Sequence, residues 1–106
     1  GLWAQRRLEE AGGGLRAAGD SVTLSCRGSG FNFRHYAIWW YRQSPGGSLE
    51  WVSVISYDPT VVFFDQSVQG RASISRDNSQ SEAYLSLLTL QPQDSARYFC
   101  AFHTRT

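Results

Sequence analysis

Two cysteines constrain this chain more than any other feature. Cys26 and Cys100 stand 74 positions apart, and only one pairing between them exists. A bridge closing so long a loop would stabilise a fold by roughly 4–5 kcal/mol in the chain-entropy picture. It would also place the protein in an oxidising, extracellular setting. Two separate buried thiols are the other reading, suited to a cytosolic protein, so the surrounding sequence has to decide. With 106 residues there is room for one domain.

Both cysteines lie in strand-like segments. Ser21–Cys26 alternates strictly, with Val22, Leu24 and Cys26 on one face, and Gly28-Ser29-Gly30 ends it. Ile38–Gln43 reads as a second strand, stopped by the turn cluster Ser44-Pro45-Gly46-Gly47. Leu49–Ile55 is a third, ended before Asp58-Pro59, and Phe63 and Phe64 begin a short edge strand. Ala72–Ser75 leads to the turn Asp77-Asn78-Ser79, and Ala83–Leu87 alternates again with Ala83, Leu85 and Leu87 on one face. Gln91–Asp94 is a turn or a single helical turn, and Tyr98–Phe102 is the last strand. Gly12-Gly13-Gly14 forms a kink where the first strand can switch sheets. Helix signals are nearly absent, so the expectation is an all-β antiparallel sandwich.

Charge and motifs exclude most other classes. The ten basic residues are all arginine and face nine acidic ones, a net of +1, which leaves no basic field for nucleic acid. Apolar runs such as Val61-Val62-Phe63-Phe64 are too short to span a membrane. No basic start followed by an apolar stretch is present, so any signal peptide is expected to be gone. His35 and His103 are the only histidines, and no nucleophile motif accompanies them. No short Cys-x-x-Cys pair points to a metal. Neither Gly12-Gly13-Gly14 nor Pro45-Gly46-Gly47 has the helix or lysine of a phosphate loop. The reading is a protein without enzyme activity, cofactor or metal.

Trp40 lies 14 residues after Cys26, and Cys100 lies 60 beyond Trp40. Asp94-Ser95-Ala96-Arg97-Tyr98-Phe99 runs directly into Cys100. This spacing meets the rule for an immunoglobulin sandwich, in which two cysteines bridge the sheets and a tryptophan packs on the bridge. Further stretches carry a closer likeness: Leu8–Leu15, Leu24-Ser25-Cys26, Ser29-Gly30-Phe31, Trp40–Gln43, Leu49–Asp58, Ser67–Arg71, Ile74–Ser79 and Tyr98–Ala101. Together they resemble an antibody heavy-chain variable domain, and Leu49–Asp58 sets it apart from light chains and T-cell receptors. The resemblance implies a V-type Greek-key sandwich with a Cys26–Cys100 disulfide. It also implies a tyrosine corner at Tyr98 and an ion pair of Asp94 with Arg71.

The chain departs from the family pattern in several places. Gly1–Ala4 precede the usual start and read as an N-terminal extension. Ala72 and Ala83 stand where the family places larger side chains, each change worth about 2–4 kcal/mol if nothing refills the space. Tyr41 replaces a smaller apolar residue, and Ser48 a glycine. Such scattered changes resemble a heavily hypermutated antibody. The family's final strand, with its Trp-Gly-x-Gly, is not in the sequence. A longer heavy chain with a long third loop is preferred over a deliberate truncation or an unrearranged segment.

The resemblance also implies where the protein binds. Three hypervariable loops fall at 30–37, at 56–63 and after Ala101. Their candidate antigen-binding residues are Asn32, Arg34, His35, Tyr36, Ser56, Tyr57, Asp58, Thr60, Val61, Val62, Phe63, His103 and Arg105. Phe31 is expected to pack beneath the first loop, and Phe64 onto the sheet edge. Trp39, Tyr41, Gln43, Leu49 and Trp51 form the face for an antibody light chain, with Gln43 as an amide pair and Trp51 as the central aromatic. The implied partners are a light chain and a protein antigen, and the implied location is secreted. Divergence of this degree is associated with antibodies against viral envelope glycoproteins. The alternatives are an autonomous single-domain binder, favoured by Tyr41 but opposed by Leu49 and Trp51, and a non-antibody V-set receptor domain.

Overall fold

The structure, a computed structural model, describes residues 6–14 and 16–103. The proposed extension Gly1–Ala4 lies outside them. Among the described residues there are eight strands: β1 Arg7–Gly12, β2 Val22–Ser29, β3 Ile38–Gln43, β4 Leu49–Ile55, β5 Val62–Phe64, β6 Ala72–Asp77, β7 Glu82–Leu87 and β8 Arg97–Phe102. They form two antiparallel sheets in the orders β1-β2-β7-β6 and β5-β4-β3-β8. β2 pairs with β7 and β3 with β8 across long stretches of sequence, the Greek-key pattern of a V-type sandwich.

Alternation decides which side chains meet between the sheets. In β2, Leu24 and Cys26 point inward, opposite Leu85 and Ala83 of β7. In β3, Ile38, Trp40 and Arg42 point inward while Trp39, Tyr41 and Gln43 face out. Trp40 is opposite Cys100 of β8, and the Cys26–Cys100 bridge joins the two sheets with 6.3 Å between the Cα atoms. Trp40, Ile38, Leu85, Leu87 and Val52 fill the layer around it and are all buried. Burying each such side chain is worth about 1.5–3 kcal/mol, so this layer holds the sheets face to face.

Ala83 is fully buried opposite Cys26, and Ala72 is half-buried opposite Leu87. A cleft of about 470 Å³ lies elsewhere, between the Glu10–Gly14 segment and the Leu90–Tyr98 segment, with Trp40 and Leu24 in its wall and neither alanine lining it. The glycine kink is there, with φ of 98°, 91° and 96° at Gly12, Gly13 and Gly14. A Cβ on Gly12 would also come within 2.8 Å of the Thr23 carbonyl oxygen, so this position excludes a side chain. Among the described residues β1 pairs only with β2. Contact with the second sheet comes from the Glu10 carboxylate, which accepts the Cys100 N–H at 3.0 Å.

At the end of the sandwich away from the loops, an ionic cluster fastens the chain. Asp94 is buried and accepts from Arg71 at 2.7 and 2.9 Å and from Arg42 at 3.0 Å. The Tyr98 hydroxyl donates to the Asp94 carbonyl at 2.8 Å, making the expected tyrosine corner. The Asp94–Arg71 pair was legible from sequence, whereas Arg42 joins as a third, almost fully buried member. Burial pushes the Asp94 carboxyl up, but the Arg71 bonds, the Gln91 N–H and Arg42 outweigh it and hold the group at about 2. Because this lies below the ordinary 3.8, the stabilisation is complete above the unfolded value and is lost as pH falls toward 2. Unfolding free energy should therefore drop by about 2 kcal/mol from this group between about pH 5 and pH 2. Denaturant titrations across that range, with Asp94→Asn as the control that flattens this part of the slope, check the prediction.

Candidate binding surface

Two exposed regions of the sandwich carry most of the proposed contact residues: the loop end and the outer face of β3, β4 and β8. At the loop end, the first loop folds into a short 3-10 turn, Phe33–His35. Its backbone closes through His35 N–H to Asn32 O at 3.1 Å and Tyr36 N–H to Phe33 O at 3.2 Å. Phe33 turns inward and is buried. Phe31 is half-buried and stacks on Phe102 with ring centroids 4.2 Å apart, so it packs beneath the loop as expected. Asn32, Arg34 and His35 are exposed, while Tyr36 is half-buried against Phe31 and Phe102.

The second loop is built around Asp58. Its carboxylate accepts the Thr60 N–H at 3.0 Å and the Thr60 hydroxyl at 2.7 Å, a local turn that occupies the only acidic side chain of this loop. These two bonds hold the Asp58 carboxyl below its ordinary value. Ser56 N–H donates to Val61 O, and Val61 N–H to Asp58 O, both at 3.0 Å. Tyr57 at 64% and Phe63 at 61% exposure are large side chains open to solvent, and Val61 is exposed as well. Ser56 is half-buried and Thr60 exposed.

Val62 and Phe63 belong to β5 rather than to a loop. Strand alternation turns Val62 and Phe64 toward the core and Phe63 outward. Val62, singled out as a contact residue, thus packs against the core opposite Ile55, and shortening it would cost stability. Phe64 packs on the sheet edge as expected. In the third loop, His103 is exposed and sits edge-to-face on Trp39, with centroids 5.0 Å apart. Arg105 lies outside the described residues.

Arg76 of β6, which sequence analysis did not single out, holds the first two loops in place. Its guanidinium donates to Phe33 O at 2.9 Å and to Ser56 O at 2.8 Å, and its Nε donates to Asn78 Oδ1 at 2.8 Å. The guanidinium carbon lies 4.8 Å from the Phe33 ring centre, a cation–π contact. Burial lowers the pKa of Arg76 from its ordinary value. The available signal was its parity with Ile74, which marks Arg76 as an inward position of β6.

On the lateral face, Trp39, Tyr41 and Trp51 are half-buried and Leu49 is 56% exposed. Tyr41 lies between Trp51 of β4 and Phe99 of β8. The buried indole N–H of Trp51 has no hydrogen-bond partner among the described residues. Gln43 is exposed, and its Nε2 donates to Gly47 O at 3.1 Å. The amide donor expected to pair across an interface is thus engaged within its own turn. Among the described residues, no group of three or more His, Cys, Asp or Glu could hold a metal, and no helix is long and apolar enough to cross a membrane.

A bridged two-sheet V-type sandwich with loops gathered at one end is the architecture of a protein-recognition module. The family model for the immunoglobulin V-set domain matches residues 15–106, and the chain belongs to that family.

Replacing Arg76 by methionine keeps its stem but removes every donor to the two loops. Stability should fall by about 2–3 kcal/mol. Amide exchange should rise together in residues 32–36 and 56–61, and Arg76→Lys should restore little, since one ammonium cannot reproduce the planar fork. Exchange mass spectrometry showing only one loop loosened would contradict the shared anchor.

Proposed function

We propose that this chain is the heavy-chain variable domain of an antibody, that it pairs with a light-chain variable domain, and that it binds a protein antigen through its loop end. The carrying observation is the lateral face. Large apolar side chains point outward from neighbouring strands, with Leu49 more than half exposed beside Trp51 and Tyr41. An apolar patch of this kind on a secreted domain calls for a partner. The proposed antigen surface combines the exposed Tyr57, Val61 and Phe63 with Arg34 and His35, and includes Asn32, Tyr36, Asp58, Thr60 and His103. Rigid aromatics and a directed guanidinium suit a paratope.

The rest of the reading follows from the same assignment. The domain works outside the cell, where the Cys26–Cys100 bridge persists. Its departures from the family pattern suit a strongly matured antibody, with a viral envelope glycoprotein as antigen. Residues 1–4 are an extension ahead of a single domain.

Co-expression of the full chain with a light chain, followed by size-exclusion chromatography, tests the pairing. A heterodimer is expected, and Leu49→Arg should weaken it by tenfold or more, since a buried unpaired charge costs above about 1.4 kcal/mol. A monodisperse monomer that ignores light chains would overturn this proposal and favour the autonomous binder.

A further inference from the structure

The ring contacts at the loop end do more than fill space. Phe102 is the last residue of β8 and stands directly before His103. Its ring is stacked on Phe31 at 4.2 Å and 13°, and Tyr36 meets it edge-on at 5.4 Å and 66°. Phe31 and Tyr36 also touch one another at 5.5 Å and 73°. The three rings therefore form a closed triangle that joins two loops far apart in sequence.

The floor of the triangle is fixed by a glycine. A Cβ on Gly28 would lie 2.6 Å from Phe33 Cδ1 and 3.0 Å from Phe31 Cζ, so both rings rest directly on the β2 backbone. Phe33 is buried, and Phe31 is pressed against that floor. Phe102 is stacked on Phe31, and β8 is anchored on the other side by its pairing to Ile38.

We infer that Phe102 is a positioning residue that locks the start of the third loop to the first loop, so that His103 leaves the sheet in a direction set by Phe31 and Tyr36. The link complements Arg76, which ties the first loop to the second. With both links in place, the three loops present one surface rather than three independent ones. Its functional meaning rests on the proposed reading of this end as the antigen surface, but its test needs neither antigen nor light chain.

His103 supplies the readout, because its ring contact is with Trp39 and the sequence holds only two histidines. The full chain is labelled with carbon-13 at histidine, the His103 signal being assigned by a His35→Gln control. In Tyr36→Ala, which removes a half-buried loop side chain, the His103 signal should move away from its Trp39-shifted position. Exchange at amides 31–36 should rise roughly two- to tenfold, the loss of one or two aromatic contacts. Phe31→Leu should do the same, whereas Phe102→Tyr keeps the stacking ring and should leave His103 in place. If Phe31→Leu does not fold, Tyr36→Ala decides. An unmoved His103 signal in folded Tyr36→Ala protein overturns the inference, whatever the outcome of the pairing experiment.

Discussion

The Cys26–Cys100 bridge, seated on Trp40, is the constraint on which the remaining structure depends. It crosses between the sheets at the centre of β2 and β8, so it fixes which residues of those strands face inward. Side chains on a strand alternate, and a slip of one position would exchange core and surface. With Cys26, Trp40 and Cys100 inward, Leu24 and Ile38 follow inward, and Trp39 and Tyr41 are forced out. The apolar lateral face is thus a consequence of the same register that builds the core.

Arginine performs the polar work at both ends. Arg42 and Arg71 enclose Asp94 at the base, and Arg76 captures loop carbonyls at the top. Each uses several donors in a plane, a geometry that an ammonium cannot match. The arginine-only basic set thus has structural content at three positions. The base cluster holds the turn leading into β8 while Arg76 and the aromatic triangle hold the loops, leaving a rigid frame between them.

Much of this was legible in the sequence. Alternation in Ser21–Cys26 and Ala83–Leu87 located two inner strands, and the Cys–Trp–Cys spacing identified the sandwich. The family resemblance around Asp94–Cys100 implied the corner at Tyr98 and the ion pair of Asp94 with Arg71. The run Val61–Phe64 was harder, because four consecutive apolar residues carry no period and conceal that Val62 points inward. Arg42 and Arg76 both occupy inward parity in their strands, yet a charged residue there reads as surface until its partners are located. Those partners are a carboxylate 52 positions away for Arg42 and backbone carbonyls 20 and 43 positions away for Arg76. The triangle around Phe102 likewise joins residues that only the folded strands bring together.

The central claim is that the bridge and Trp40 make the two sheets one cooperative unit that carries the loops. Native-state hydrogen exchange of the oxidised protein tests it most directly. The account predicts that the slowest amides of β2, β7, β3 and β8 share one opening free energy, equal to that of global unfolding. Amides in 30–37 and 56–61 should open more easily. Exchange of β2 and β7 at a clearly different free energy from β3 and β8 would show that the sheets unfold separately, and would contradict it.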